Sequence, residues 1–479
     1  MSTPAGPWTP PPGSIPTLGT PSLDGVDRIH LIGIGGAGMR NLARLLLARG
    51  IRVSGSDLKD GAALDDLRAL GAEIHVGHDA ANLDEPDAVV VSSAISEDNA
   101  ELRAAEARAI PVWRRQQAMA ALARGRRAVA VAGTHGKTTV TSMLATILEE
   151  AGSDPTYLIG GDLNESGSGA RHGEGEEFVF EADESDGSFL LIEPWCGVIT
   201  NIEVDHVDFY PGGLDEIVDA FATFAARCRA VVACGDDASV RDALVRAGVR
   251  ATTYGSDGRN DLCISVTTLG PDGAAGTLRL EDGTELALRL RIDGPHNLAN
   301  AAAAIAAARL LGVGPEPAAA ALEAFRGVHR RFELRGTAGG ARFFDDYGHT
   351  PTEMAVTVAT ARRRDPDRLI ALVQPHRYSR VQALWRELGA SVADADVVVV
   401  TDVYGAAQPP IPGITGKLVV DGVQMAAPGL RTLYLPHRRD VVRVLSNEVR
   451  PGDLVLTMGC GDVWMLGDEV RAAIEGGSA

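Results

Sequence analysis

Gly133-Thr134-His135-Gly136-Lys137-Thr138-Thr139 follows the apolar run 128–132 and forms a turn suited to holding phosphate. Successive backbone N–H groups in such a turn converge on an anion, the helix expected over 140–150 adds its positive end, and Lys137 adds a mobile cation. Thr138 brings a hydroxyl of the kind that ligates Mg²⁺ or Mn²⁺ bridging two phosphates. Val131 occupies the first glycine position of G-x-x-x-x-G-K-[ST], so the loop is a shortened variant of that pattern. All seven residues, 133 to 139, are candidate ATP-phosphate contacts.

Two acidic clusters complete a nucleotide–metal site. Glu181-Ala182-Asp183-Glu184-Ser185-Asp186 ends one expected strand (178–181), and Asn201-Ile202-Glu203-Val204-Asp205-His206-Val207-Asp208 ends another (196–201). Carboxyl ends of parallel strands are where ligands bind in α/β sheets. Carboxylate, neutral imidazole and phosphate oxygens make a shell for Mg²⁺ or Mn²⁺, so the Thr138 hydroxyl, His206 and carboxylates of the two clusters are candidate metal ligands.

A second glycine turn precedes both. Gly33-Ile34-Gly35-Gly36-Ala37-Gly38 satisfies G-x-G-x-x-G, and Asp57 follows 19 residues after Gly38. Alone, this is the dinucleotide fingerprint of an NAD-dependent dehydrogenase. The lysine–threonine loop at 133–139 argues against that reading. A ligand with a pyrophosphate and a ribose, such as a nucleotide-sugar, satisfies both loops.

The elements that must position these groups alternate β-branched runs with helical stretches from residue 27 onward, the pattern of parallel α/β sheets. Strands are expected at 28–34, 51–55 and 88–92, with a helix at 39–49, then a passage through 111–127 into the phosphate loop. An alanine-rich helix follows Gly294-Pro295. A third block begins after Arg330-Arg331, with strands near 342–344, 369–373, 397–401 and 454–458. The fold class is thus α/β in three tandem domains: a Rossmann-like domain at 26–120, a central P-loop-ATPase-like domain at 121–328 and a Rossmann-like domain at 329–479. The chain's 479 residues with 45% hydrophobic content suffice for three such cores. Residues 1–25 are proline-rich, lack the cationic start and apolar core of a secretory signal, and read as a disordered tail.

A net charge of −19 repels phosphate backbones and anionic surfaces, so neither nucleic acid nor membrane is an expected partner. The longest apolar stretch, 299–311, is too short to cross a bilayer. Five cysteines at 196, 228, 234, 263 and 460 show no paired spacing, which indicates neither a zinc site nor a disulfide framework and fits a reducing cytoplasm.

Gly33 to Met39, Gly133 to Thr139, Glu181 to Asp186, Asp205-His206, His296-Asn297-x-x-Asn300, Arg330-Arg331-Phe332-Glu333 and Asp345-Asp346-Tyr347-Gly348-His349, in that order, resemble the Mur ligases over residues 28 to about 470. The resemblance is strongest to the branch that adds L-alanine to UDP-N-acetylmuramate. It implies an ATP-dependent amide ligase acting through an acyl phosphate in peptidoglycan synthesis, cytoplasmic and monomeric or homodimeric. It further implies that Lys137 holds the β- and γ-phosphates and that Thr138 and Glu181 ligate one metal ion. His206 would position a second ion, Asn297 and Asn300 approach adenine, Arg331 reach the phosphates and Asp346 close the pocket. Lys137, Glu181, His206 and Arg331 are the catalytic set. Tyr347, His349, His376, Arg377 and Arg380 would form the amino-acid end, the arginines gripping the alanine carboxylate. Gly33, Gly35, Gly36, Gly38, Asp57, His78, Ser92 and Ser93 would bind the UDP part. Phe221 stands where several family members carry a metal-binding carbamylated lysine, a lysine the alanine-adding branch also lacks. Thr350, Gln408, Arg40 and Asn41 depart from the family pattern. A sibling ligase with another acceptor, such as a muropeptide-recycling ligase, is the alternative; a folate polyglutamate synthase lacks the first domain.

Overall fold

The computed structural model describes residues 21–92, 95–160, 169–207, 209–406 and 408–476. Three sheets follow one another along the chain. The first holds β1 (Arg28–Ile32), β2 (Arg52–Asp57), β3 (Glu73–Val76), β4 (Ala88–Val91) and β5 (Val112–Arg114), all parallel, in the order β3-β2-β1-β4-β5. The strand order reverses beside β1, so a crevice opens at the carboxyl ends of β1 and β4. The segment 111–127, read as a passage between domains, instead supplies β5 and the helix Arg115–Ala123. Leu23 is buried in the same core, so the chain joins the fold before residue 25; residues 1–20 of the expected tail lie outside the described residues.

The second sheet contains β6 (Arg127–Ala132), β7 (Thr156–Leu158), β8 (Ala170–Arg171), β9 (Glu177–Glu181), β10 (Cys196–Ile199), β11 (Ala230–Cys234), β12 (Thr252–Gly255), β13 (Leu262–Gly270), β14 (Gly273–Arg279) and β15 (Glu285–Leu290). Its order is β15-β14-β13-β12-β11-β10-β6-β9-β7-β8. The two faces of β6 show how helices sandwich it. Val129 and Val131 pack with Val140 and Leu144 of helix Lys137–Glu150 and with Ala301 and Ile305 of helix Pro295–Leu310. Ala128, Ala130 and Ala132 face the other way, onto Phe221 and Phe224 of helix Leu214–Arg227. Burial on both faces is why the strand reads as an unbroken apolar run. The antiparallel meander β13-β14-β15 was not foreseen, and it makes the sheet mixed.

The third sheet comprises β16 (Glu333–Ala338), β17 (Ala341–Asp346), β18 (Arg368–Val373), β19 (Val397–Val400), β20 (Arg431–Tyr434) and β21 (Asp453–Met458), ordered β16-β17-β21-β18-β19-β20. Only the β16–β17 hairpin is antiparallel. The strand latest in sequence, β21, lies inside the sheet, paired with both β17 and β18.

Phe221 is fully buried, its ring centroid 5.3 Å from that of Phe189, which lies 5.4 Å from Phe224. Position 221 is therefore core and offers nothing to a metal. Phe221→Ala should cost about 3–5 kcal/mol, the range for truncating a buried aromatic, read as a lowered urea midpoint. Phe221→Lys should be worse, and a lysine variant as stable as the parent would show that the site tolerates a polar group.

Candidate active site

Parallel pairing places β6 between β9 and β10, with Val131 opposite Glu181 and Ala132 opposite Ile199. The phosphate loop thus emerges between the two acidic strand ends, as expected from their positions in sequence. Gly133 and Gly136 adopt φ of +133° and +81°. A Cβ at 136 would lie 2.8 Å from Asn300 Oδ1, and one at 133 would strike the Thr200 hydroxyl. Thr134 N and His135 N donate to the Asn201 carbonyl and Oδ1 at 3.0 and 2.8 Å, and Thr200 Oγ1 donates to the His135 carbonyl at 2.5 Å. These bonds fix the loop. Helix Lys137–Glu150 has no side-chain cap at Gly136, so its first-turn amides face outward for an anion.

Lys137 Nζ donates to the Gly133 carbonyl at 2.5 Å and to both oxygens of Glu184 at 2.9 and 3.0 Å. Burial works against its charge, yet Glu184 and Asp183 more than compensate and raise its pKa. Burial likewise opposes Asp183, but Lys137, Arg115 and His206 hold it at about 2. Glu181 Oε1 accepts from Gly160 N at 2.6 Å. His206 sits in the left-handed region at φ +50°, and its buried Nδ1 has no hydrogen-bond partner among the described residues. A strained backbone holding an unpaired imidazole nitrogen beside carboxylates is the mark of a group kept for a ligand. Of the three expected metal ligands, His206 thus keeps an unpaired nitrogen suited to an ion, while the Glu181 carboxylate accepts from Gly160 N.

The third module closes over this loop. A cavity of about 550 Å³ is lined by His135, Gly136 and Thr139 of the loop, by His296, Asn297 and Asn300, and by Arg331, Asp346 and Glu353 from the other side. The structure thus brings Asn297, Asn300, Arg331 and Asp346 together with the phosphate loop. Burial disfavours the Arg331 charge, but Glu353 and Asp346 raise its pKa; its guanidinium lies 5.1 Å from the Tyr347 ring centroid. Asp346 is pushed up to about 6 by burial, against the pull of Arg331, and accepts from Phe332 N and Gly348 N. His296 is driven down to about 4 by burial and by Arg363, so it is neutral.

Sequence reasoning missed the bridge at His135. Its Nε2 lies 3.1 Å from Glu203 and its Nδ1 3.4 Å from Glu353, so one imidazole joins carboxylates of two modules. Thr352 Oγ1 adds a 2.7 Å bond to Glu203. The T-x-x-E spacing of Thr350 and Glu353 signals a capping box, and both bonds form. Nothing local reveals that the other oxygen of Glu353 faces a loop more than two hundred residues away.

At the expected amino-acid end, Tyr347, His349, His376, Arg377 and Arg380 do cluster: the His349 ring is 5.7 Å from Tyr347 and 5.3 Å from His376. Arg380 departs from its expected role. Its Nε and Nη2 bind buried Asp205 at 2.8–3.0 Å, and Nη1 donates to His376 Nδ1 at 2.9 Å, so it locks two modules together instead of presenting a carboxylate clamp. Arg377, at φ +61°, begins helix Tyr378–Ser391 beside it.

In the first module Gly33 turns at φ +80°, and helix Ala37–Ala48 starts at Gly36 without a side-chain cap, an open anion site. Gly38 lies in that first helical turn and Ser92 packs against Gly33. Asp57 was expected on a ribose hydroxyl; its oxygens instead accept from Gly35 N at 2.9 Å and Lys59 N at 3.2 Å, so it holds the turn in shape. His78 Nδ1 is 2.9 Å from Ser56 Oγ, inside a buried network around Glu101. Ser93 lies outside the described residues.

The His135 bridge carries a pH prediction. Burial alone would lower its pKa, but Glu203 and Glu353 raise it from 6.5 to about 9. A raised imidazole contributes fully below about 6.5 and loses its contribution as pH climbs through about 9. Small-angle scattering should show the third module loosening between about pH 7 and about pH 10. His135→Gln should lose that dependence; identical scattering profiles for parent and variant across the range would refute the bridge.

Sequence profiles described as "Mur ligase family, catalytic domain", "Mur ligase middle domain" and "Mur ligase, glutamate ligase domain" match residues 28–127, 131–308 and 330–461. The chain is 45% identical to a UDP-N-acetylmuramate–L-alanine ligase of Saccharopolyspora erythraea over 94% of both chains. It is 44% identical to one of a Mycobacterium species, over 96% of this chain and 97% of that one. The crystal structure of a UDP-N-acetylmuramate–alanine ligase from Thermotoga maritima superposes with a TM-score of 0.78 at 29% identity, covering 94% of this chain and 99% of that one. A murein peptide ligase from Psychrobacter arcticus superposes with a TM-score of 0.71 at 26% identity, over 93% and 98%. With its three sheets, its loop between acidic strand ends and these matches along nearly its whole length, this chain belongs to the Mur ligase family.

Proposed function

We propose that the protein ligates L-alanine to UDP-N-acetylmuramate at the expense of ATP. The observation that carries this reading is the convergence of the phosphate loop, the strand end at Asn201 and Glu203, and Arg331 with Asp346 on one cavity between modules. Near-full-length identity of 44–45% to alanine-adding ligases supports the choice of substrates. We assign the UDP part to residues 26–120, ATP to 121–328 and the acceptor to 329–479, in a cytoplasmic enzyme, since ATP is a cytoplasmic solute.

A carboxylate is a poor acyl donor. Its oxygen therefore attacks the terminal phosphorus of ATP, ADP leaves, and the resulting acyl phosphate is captured by the alanine amine with release of phosphate. Lys137, turning from Glu184 to the phosphates, and Arg331, reaching in from the third module, neutralise charge that builds on the transferred group. The first-turn amides of helix Lys137–Glu150 and the turn at Gly133 orient the phosphate chain. A Mg²⁺ ion held by Thr138, Glu181 and His206 would supply further charge neutralisation. Asn297 and Asn300 line the nucleotide side, and Asp346 and Glu353 hold the closing elements in place. Docking through His135 and Asp205 excludes water from the acyl phosphate. Arg377, at the start of helix Tyr378–Ser391, takes the amino-acid carboxylate, with His349, His376 and Tyr347 around the side chain. The uncapped helix start at Gly36, with Gly33, Gly35 and Gly38, holds the pyrophosphate of the nucleotide-sugar; His78 and Ser92 flank it.

Phosphate release from ATP should depend on both UDP-N-acetylmuramate and L-alanine, and a muropeptide should not replace alanine. Release without the nucleotide-sugar would overturn the reading. Lys137→Met should lower turnover by about 10³-fold or more, the scale on which a cation on a transferring phosphoryl group acts, and should also lower the thermal midpoint, because it leaves buried Glu184 without its partner.

A further inference from the structure

Three donors at the acceptor end have no joint role in amide ligation. His349 follows β17, His376 follows β18 and Cys460 follows β21, the strand between those two, so adjacent strand ends deliver them to one place. One nitrogen or sulfur atom from each lies within 4.8 Å of the others, and all three side chains are part-buried. Two imidazoles and a thiolate with one open position are a donor set for a tetrahedral Zn²⁺ ion. We propose that His349, His376 and Cys460 form a binding site for a zinc-class divalent ion, and that an ion bound there shuts the amino acid out. The second half of this statement rests on the ligase reading; the first does not.

The surroundings suit the donors. Burial, with Arg380 close by, holds His349 at about 4, and burial with His349 and Arg380 holds His376 at about 2, so both rings are neutral and keep a lone pair. His349 Nδ1 lies 3.1 Å from the Tyr347 carbonyl, the second bond that orients a metal-binding imidazole and leaves Nε2 to the ion. His376 gives its Nδ1 lone pair to Arg380 Nη1; an ion takes that lone pair over, while Nε and Nη2 keep Arg380 on Asp205. Burial pushes the Cys460 thiol up to about 12, so it stays protonated until an ion arrives. Binding then forms one S–metal bond and releases one proton, with no change of oxidation state. Glu353 Oε2, 3.5 Å from His349 Nδ1, and Asp205 set negative charge against Arg380. Donors now within 4.8 Å must close to roughly 3.5 Å around an ion with bonds of about 2.0–2.3 Å, a shift within reach of side-chain rotation. Mg²⁺ prefers oxygen ligands and leaves the trio alone.

Co²⁺ is the probe, because a cobalt–thiolate bond absorbs in the near ultraviolet and a cobalt–oxygen site does not. Titrating the full chain in excess Mg²⁺ should give that band at one equivalent, reversed by Zn²⁺. Cys460→Ala should remove the band and weaken Zn²⁺ binding by more than the roughly 10–100-fold that a partner once removed from a metal contributes. It should keep Mg²⁺-supported ligase turnover without zinc while losing inhibition by Zn²⁺, which in the parent should raise the KM for alanine. No band in the parent, or the same band in Cys460→Ala, overturns the site. A cysteine-dependent band with inhibition that alanine does not relieve overturns the exclusion of the amino acid. A cysteine-dependent band from a chain without ligase turnover would keep the site and sink the ligase reading instead.

Discussion

Lys137 lies between the carbonyl of its own loop and the carboxylate of Glu184, and this contact requires three strands to end level. β6 delivers the ammonium, β9 the acidic turn and β10 the Asn201 that fastens the loop. Parallel pairing sets the register, so each side chain arrives at the same edge of the sheet. An ammonium buried this deeply needs its counter-charge in place, because an unpaired charge away from water is costly. The same need places Glu184 where phosphates would compete with it for Lys137, and Asp183 and Glu184 where a metal ion would compete with Lys137 for them.

The third module is fastened to this edge by polar links: His135 between Glu203 and Glu353, Arg380 on Asp205, and Arg363 on Asp293. Each joins a residue near the ligand groups of the central module to one from the third, so docking and site assembly are one event. Ion pairs of this kind are directional and separable in water, whereas a continuous apolar seam would hold the modules shut. The buried, bidentate Asp205–Arg380 pair is the firmest of them.

Much of this was legible in the residues because the chemistry is local in sequence. The loop 133–139, the cluster 181–186 and the run 201–206 each occupy one strand end, and short apolar, β-branched runs located those strands. What escaped was non-local. The partners of Arg380 and His135 lie 175 and 218 residues away, at Asp205 and Glu353. The trio of His349, His376 and Cys460 has no short spacing, since β21 enters the sheet between strands that precede it by many residues. Asp57 was assigned to a ligand because its position after a strand matches a fingerprint, but the turn's own amides take its oxygens first. The meander β13-β14-β15 escaped although Leu286, Leu288 and Leu290 of β15 alternate with exposed residues, because the β-branched runs that marked the other strands are missing from β15.

The interior place of β21 bears on how the protein is made. Synthesis runs from the amino end, and the first two sheets can close as soon as their own strands have emerged. The third cannot: Phe344 and Leu372 each need a neighbour on β21, and Asp346 is aligned with Met458. Until that strand has left the ribosome, no lid exists to seal the nucleotide pocket. A chain terminated before β21 would therefore be left with an open, water-filled cleft in place of a sealed nucleotide pocket.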